Sequence, residues 1–405
     1  MSHVVVIGTG QAAVALAARL RAENFDGRIT LVGEERFAPY ERPHLSKGVL
    51  IGEVPIDRIL LRDLDWYGQH DITLLTGTAA VSVDPAAQTV SLQDGQRVPY
   101  DHLVFCTGAT PRRLPREVGG ELGGVHTLRG IADTQRLGSA FVPGRHLLVL
   151  GGGYIGLEAA ASAVGRGLSV TVVEMAPRIL QRVACEETSS FFKTLHQSHG
   201  VRILEGTGIN RLIGDTVVEG VELADGDTLA VDLALIGIGV APETSLARTA
   251  GVTISDGIDT DAQGRTNIEN IWAAGDCANH VYQDQRLRVE SVGNAIDRAE
   301  TVARNIMGHG HEEIGLPWFW SDQFDCKLQI AGLNQGYDAV HVKQFSGSPQ
   351  SRVHWYFRDG RLVACDAMNA TRDYMVAKRL IEAGTSVEPL VLCQTDADLR
   401  SLLRR

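Results

Sequence analysis

Two short glycine-rich runs carry the first chemical information in this sequence. Gly8-Thr9-Gly10-Gln11-Ala12-Ala13 and Gly151-Gly152-Gly153-Tyr154-Ile155-Gly156 each follow an apolar stretch and open an alanine-rich one. In such a loop the first glycine permits a tight turn, and the second lets a pyrophosphate approach the backbone. The third position, here Ala13 or Gly156, must be small so that helix and strand can pack. The helix start then offers unpaired N–H groups and the positive end of its dipole to phosphate. An acid ending the next strand completes each set: Glu34, with Glu35 beside it, and Glu174, 23 residues after Gly151. Such a carboxylate accepts ribose hydroxyls and opposes a 2′-phosphate, so Glu174 predicts NADH over NADPH. Arg178 and Arg182 follow closely and would favour the phosphate, but Glu174 opposes that charge.

The elements needed to position these groups are legible around them. Residues 4–7 read as a buried strand, 11–22 as a helix with an Ala/Leu face, and 29–32 as a second strand. The same order recurs with strands at 147–150 and 169–173, and two such βαβ units imply two parallel-sheet domains. Residues 79–100 alternate like antiparallel strands around Asp94-Gly95, and 217–230 do so around Asp225-Gly226-Asp227. From about Pro317 strand-like stretches follow at 327–331, 339–345, 352–357 and 362–367, with Asp359-Gly360 as a two-residue turn and a helix at 374–383.

Composition bounds the rest. At 405 residues and 44% apolar content, two or three well-filled domains are expected. A net charge of −11 argues against a nucleic-acid binder, which needs a basic face. Residues 317–405 hold 11 Lys/Arg and 10 Asp/Glu, so that segment is +1 and the first 316 residues carry −12. The six cysteines form no CxxC, no signal peptide is read before the first strand, and no apolar run approaches the ~18 residues of a membrane span. A cytoplasmic protein is expected, without a metal site. The tract Gly308-His309-Gly310-His311-Glu312-Glu313 reads more readily as a solvated loop than as a ligand set.

Further segments resemble known proteins. Residues 103–111 are an apolar strand running into a small-residue turn, and Asn270-Ile271-Trp272-Ala273-Ala274-Gly275-Asp276 is a strand ending in Gly-Asp. Two-dinucleotide flavoproteins of the glutathione-reductase type complete their FAD site with such segments. Leu235-Ile236-Gly237-Ile238-Gly239-Val240-Ala241-Pro242 is similar to their crossover from NAD domain to FAD domain. Pro39-Tyr40-Glu41-Arg42-Pro43-His44-Leu45-Ser46-Lys47, Gly151–Glu158, Val289-Glu290-Ser291-Val292-Gly293-Asn294-Ala295 and Pro317-Trp318-Phe319-Trp320-Ser321-Asp322-Gln323 resemble motifs of the ferredoxin reductases that serve aromatic-ring dioxygenases and haem monooxygenases. His44 and Gly293 depart from the prolines usual there.

The resemblance covers essentially the whole chain. It implies an α/β fold with two Rossmann-like domains, the FAD domain (1–112 and 235–316) interrupted by the NAD domain (113–234), plus a C-terminal α+β domain (317–405). It assigns Gly8, Gly10, Ala12, Ala13, Glu34, Arg42, Lys47, Ala80, Arg129, Asp276, Val292 and Trp320 to FAD. Gly151, Gly153, Tyr154, Ile155, Gly156, Glu158, Glu174, Arg182 and Gly239 are assigned to NADH. Lys47 would supply a cation near the flavin N5, Glu158 would orient the nicotinamide, and Trp320 would cover the flavin edge. Ordinary core packing for Trp320 and a surface ion pair for Arg129 are the plainer readings of those two residues.

The implied activity is NADH-dependent electron transfer to an acidic [2Fe–2S] ferredoxin, with Arg62, Arg298, Arg304 and Lys327 as candidates for a basic docking rim. A thiol mechanism of the same fold would need either a cysteine pair on the helix after the loop of Glu34 or one cysteine in the turn that here reads Leu45-Ser46-Lys47-Gly48, and no cysteine lies in that segment. Rubredoxin, monodehydroascorbate or a quinone as acceptor, and a redox-sensing flavoprotein, remain alternatives. Monomer and homodimer are both open.

Overall fold

The computed structural model of the chain describes residues 2–282, 285–312, 315–395 and 398–404. The chain divides into two compact units. The first comprises Met1–Glu41, Ile56–Thr110 and Val240–Pro317, and the second Arg42–Pro55, Pro111–Gly239 and Trp318–Arg405.

In the first unit a parallel five-stranded sheet runs in the order Ile271–Ala273, His102–Phe105, His3–Ile7, Arg28–Gly33, Ile72–Thr76. Its central strand is apolar at consecutive positions because both faces are covered. Val4 and Val6 pack with the helices Gln11–Ala22 and Val292–Ile306, while Val5 and Ile7 pack with the opposite cluster around Phe105 and Ile258. The expected antiparallel stretch is three strands, Ala80–Asp84, Thr89–Leu92 and Arg97–Pro99.

The second unit repeats the plan with Arg202–Glu205, Ser169–Glu174, His146–Leu150, Leu233–Ile236 and Val125–His126. Leu147 and Val149 face one cluster and Leu148 and Leu150 the other. The alternating stretch pairs Gly220–Leu223 with Thr228–Ala230, and Ile209–Ile213 adds a third strand that the pattern did not announce.

The C-terminal sheet is antiparallel, in the order Trp318–Gln323, Cys326–Gly332, Arg361–Met368, Ser348–Arg358, Ala339–Phe345. Asp359 and Gly360 have φ of +49° and +73°, as a tight hairpin turn of the strand-compatible hand requires. The helix Thr371–Glu382 packs on this sheet. Trp318–Gln323, legible in the sequence only as a motif, is an edge strand of this sheet.

Candidate functional site

Both glycine loops sit between a parallel strand and the helix that follows it, and their glycines divide into two kinds. Gly8 has φ +118°, and a Cβ there would meet the Cys106 carbonyl oxygen at 2.1 Å. Gly151 repeats this with φ +102° and the Gly237 oxygen at 2.4 Å, and a Cβ on Gly156 would meet the Gly151 oxygen at 2.4 Å. These three are required by the fold. Gly10 and Gly153 are different: their φ values of −88° and −82° suit any residue. A Cβ on either would meet nothing within 4 Å. Each lies at the start of a helix, with no side chain capping the open N–H groups. The open space at both cradles fits a pyrophosphate, the group that such loops hold.

In the first unit Gly275, φ +84°, passes so close to Ala12 that a Cβ would lie 3.1 Å from the alanine's own. Ala12 and the strand end bearing half-buried Asp276 are thereby brought together, and Ala13 is fully buried behind the loop. Half-buried Val292 begins the helix Val292–Ile306, whose cap Ser291 accepts the Asn294 N–H at 3.1 Å. Of the two acids, Glu35 accepts the Tyr40 hydroxyl at 2.5 Å, whereas Glu34 is exposed. That division favours Glu34 as the ribose acid. Ala80 is half-buried at the start of its strand.

In the second unit Glu174 is already oriented: one carboxylate oxygen accepts the Gly152 N–H at 2.6 Å and the other the Ala176 N–H at 2.7 Å. Around the same strand ends stand apolar side chains left in solvent, Ile155 at 45% exposure, Met175 at 79% and Ile238 at 42%. An apolar rim at the carboxyl ends of parallel strands suits the flat faces of a dinucleotide. Sequence reasoning named only Ile155; nothing in the types of Met175 and Ile238 distinguishes them from core residues. Gly239, φ +95°, has open space beside it, and Arg182 is exposed. The phenol of Tyr154 is buried with no hydrogen-bond partner among the described residues, and burial raises its pKa well above the usual value. Its ring lies 4.9 Å from that of Phe319.

Glu158 is 2% exposed and anchors a cluster. Its Oε2 accepts from Lys47 Nζ at 2.7 Å and from Ser46 Oγ at 2.5 Å, and its Oε1 accepts from Ser321 Oγ at 2.7 Å. Lys47 Nζ also donates to the Pro43 carbonyl at 3.0 Å. The 42–47 turn is held in place by hydroxyls, Ser162 donating to Ser46 O at 2.8 Å and Thr134 to Leu45 O at 3.4 Å. Arg42 donates to the Arg129 carbonyl at 2.7 Å, and the Arg129 N–H donates to Asp133 at 3.1 Å. Trp320 is half-buried on its edge strand, its ring stacked 5.6 Å from that of Trp318. Ser46 and Ser321 lie inside the motifs quoted above, but what they hold became visible only with Glu158 buried between them.

The basic rim expected from the sequence loses one member. Arg298 is 2% exposed and donates to the Ala262 carbonyl at 2.7 Å, so it offers no charge to a partner. It sits on the inward face of the helix Val292–Ile306, whose period carries positions 295, 298, 299 and 302 into the core. Arg304 lies 3.5 Å from both Glu23 and Glu300, Lys327 lies 3.6 Å from Asp322, and Arg62 lies over the Trp66 ring at 5.4 Å.

Of the 308–313 tract, Glu313 lies outside the described residues; His311 is tied into its loop through bonds to Asn305 at 2.6 and 2.7 Å. A group with metal-ligand character is found elsewhere: buried Cys185, His354 and Asp366. Thr188 Oγ1 lies 2.7 Å from His354 Nδ1, 2.7 Å from Asp366 Oδ2 and 3.3 Å from Cys185 Sγ. A hydroxyl therefore stands where a cation would bind, and Tyr356 donates to the same Asp366 oxygen. This is a hydrogen-bonded network. Burial pushes the Asp366 carboxyl up to about 6.

Comparison with known proteins agrees with this geometry. Residues 2–299 match the pyridine nucleotide-disulphide oxidoreductase family, and 318–403 match the reductase C-terminal family. A ferredoxin–NAD(P)+ reductase of a Sphingomonas species is 43% identical over 394 residues, 95% of this chain and 94% of that protein. Putidaredoxin reductase of Pseudomonas putida is 36% identical, over 99% of this chain and 96% of that one. The crystal structure of the covalent putidaredoxin reductase–putidaredoxin complex superposes with a TM-score of 0.95 at 35% identity, covering 100% of this chain and 98% of that one. The chain belongs to the pyridine nucleotide-disulphide oxidoreductases, as a ferredoxin reductase carrying the reductase C-terminal domain.

Proposed function

We propose that this protein oxidises NADH through a bound FAD and passes the electrons to a [2Fe–2S] ferredoxin. The observation that carries the dinucleotide half is the pair Gly10 and Gly153. Neither backbone conformation nor packing calls for glycine there, so the space they keep serves something other than the protein. The acceptor rests on the relatives, three of which are ferredoxin reductase components of dioxygenase systems. Those names favour ferredoxin over rubredoxin, monodehydroascorbate or a quinone.

When bound, FAD supplies the chemistry, accepting hydride from NADH and releasing electrons one at a time. Residues of the chain bind and orient. The Gly8–Ala13 loop with Ala12, Glu34, Ala80, Asp276 and Val292 would hold FAD, and the resemblance adds Arg42, Lys47, Arg129 and Trp320. Gly151, Gly153, Gly156, Tyr154, Ile155, Arg182 and Gly239 would hold NADH, with Glu174 on the adenosine ribose. Glu158 accepts three hydrogen bonds from the protein, so its first effect is to fix Lys47. An ammonium has three N–H donors; among the described residues Pro43 O and Glu158 take two, which supports the reading that the third serves a cofactor.

The division into an FAD domain, an NAD domain and a C-terminal domain is part of the same proposal. Among the described residues no helix is long and apolar enough to cross a membrane. We place the protein in the cytoplasm because NADH is produced there, which cell fractionation would check. The decisive experiment is NADH-driven reduction of a [2Fe–2S] ferredoxin by the yellow holoprotein, with FAD released on denaturation. A colourless protein that cannot be reconstituted with FAD sinks the first half. Efficient turnover of rubredoxin alone, with no ferredoxin reduced, sinks the second.

A further inference from the structure

A 2′-phosphate on adenosine is recognised by cations, and Arg178, four residues beyond Glu174, is the nearest in sequence. The fold turns it away. The loop that carries it is pinned along the backbone: the Ala176 N–H donates to Glu174 at 2.7 Å, and the Gly206 N–H to Ala176 O at 2.8 Å. The Ile179 N–H donates to Glu205 at 2.8 Å, and the Leu180 N–H to Gly152 O at 3.0 Å. With the backbone fixed, the direction of the Arg178 side chain decides what charge the loop presents. Its Nη1 donates to the Ser189 hydroxyl and to the Cys185 carbonyl at 3.2 Å. Ser189 is buried, and its hydroxyl donates to Ile179 O at 2.6 Å, which turns its lone pairs toward the guanidinium.

We propose that Ser189 is a specificity-determining positioning residue, which holds Arg178 against the start of the helix Glu186–Ser198 and so withholds a cation from the 2′ position of the adenosine ribose. NADH selectivity then has two parts, the repelling carboxylate of Glu174 and the tethered guanidinium. This rests on the reading that the second glycine loop binds NADH. Removing the repulsion alone leaves the cation tethered. Removing the tether alone leaves the repulsion. The two changes should therefore reinforce each other, and only while Arg178 is present.

The test is a double-mutant cycle on the holoprotein with Glu174→Ala and Ser189→Ala, repeated with Arg178→Ala. Two quantities are read: binding of 2′,5′-ADP against ADP by calorimetry, and the ratio of kcat/KM for NADPH to that for NADH. The double variant should favour 2′,5′-ADP at least about fivefold beyond the product of the single effects. Arg178→Ala should abolish that excess. Arg182 is exposed and present in every protein of the cycle, so its contribution cancels. Should Ser189→Ala fail to fold, Ser189→Cys keeps the volume with a poorer acceptor and repeats the cycle. Additive effects, or an excess that survives loss of Arg178, overturn the role of Ser189 and leave the NADH reading standing. A wild-type protein that binds 2′,5′-ADP as well as ADP overturns both.

Discussion

Lys47 Nζ and Glu158 Oε2 lie 2.7 Å apart, and the carboxylate of that pair is almost wholly out of solvent. Removing one partner from a buried pair strands the other. Glu158→Gln removes the charge that pairs with Lys47 and replaces one acceptor oxygen by an NH2, which must then face a hydroxyl or ammonium that now donates to it; the change should cost about 2–4 kcal/mol of unfolding free energy in urea melts. Lys47→Met should slow flavin reduction by NADH in stopped-flow while the oxidised flavin spectrum stays. If both variants melt like the parent and reduce at its rate, the cluster has no role in either.

The two kinds of glycine make opposite predictions. Gly8→Ala and Gly156→Ala force a Cβ onto backbone oxygens at 2.1 and 2.4 Å and should yield little folded protein. Gly10→Ala and Gly153→Ala should fold, because a Cβ there meets nothing within 4 Å. Gly10→Ala should then purify with reduced flavin content, and Gly153→Ala should retain flavin but show a raised KM for NADH. Normal flavin content in the first and an unchanged KM in the second would remove the argument for pyrophosphate at these loops.

Acid should destabilise the fold between about pH 6.5 and 4, a window set by buried histidines. Burial lowers His196 and His280 from 6.5 to about 4 and His354 to about 3, so the folded chain binds fewer protons than the unfolded chain in that range. Stability therefore falls as pH drops through it. Asp366 works the other way, since its folded value of about 6 exceeds the unfolded 3.8 and favours folding in acid. Three groups outweigh one. The urea midpoint should be level from pH 7 to 8 and decline below about 6.5, with His196 alone accounting for on the order of 3 kcal/mol by pH 4. His196→Gln should flatten the decline; a profile rising toward acid would reverse the assignment.

Reduction of an acidic ferredoxin should slow as salt is added, because steering between charged surfaces is screened beyond about 8–10 Å. Ferricyanide reduction should show no matching loss of docking. Reversing Arg298 should damage folding rather than docking, since that side chain is buried, whereas Lys327→Glu tests an exposed position. A ferredoxin rate independent of ionic strength would exclude charge-steered docking.

What the sequence conveyed follows from the range of its signals. The strands around Val4 and Leu147, the helix from Gln11 and the turn at Asp359-Gly360 were legible because period, glycine φ and burial act over a few residues. Glu34 and Glu174 could be placed because a βαβ unit fixes where its second strand ends. Arg298 belongs to a segment flanking a flavin motif, which suggested a place on the rim, but proximity in sequence does not set direction, and the apolar positions around it on the helix have it facing in. The partners of Glu158 were out of reach for another reason: Ser46 and Ser321 stand 112 and 163 residues away. No local pattern encodes such a meeting. The same holds for Arg178, whose type promised phosphate recognition and whose direction is set by a serine on the next helix.

All six cysteines lie within the described residues; five are buried and Cys393 is partly so. Burial raises every one of these thiols, Cys185 to about 11 and Cys326 to about 12. Since the thiolate is the form that reacts, the chain offers little to alkylating agents or peroxides at neutral pH. Electrons entering such a protein meet no sulfur side path along the way. The protein should therefore keep working in oxidising surroundings that would disarm a thiol-dependent enzyme.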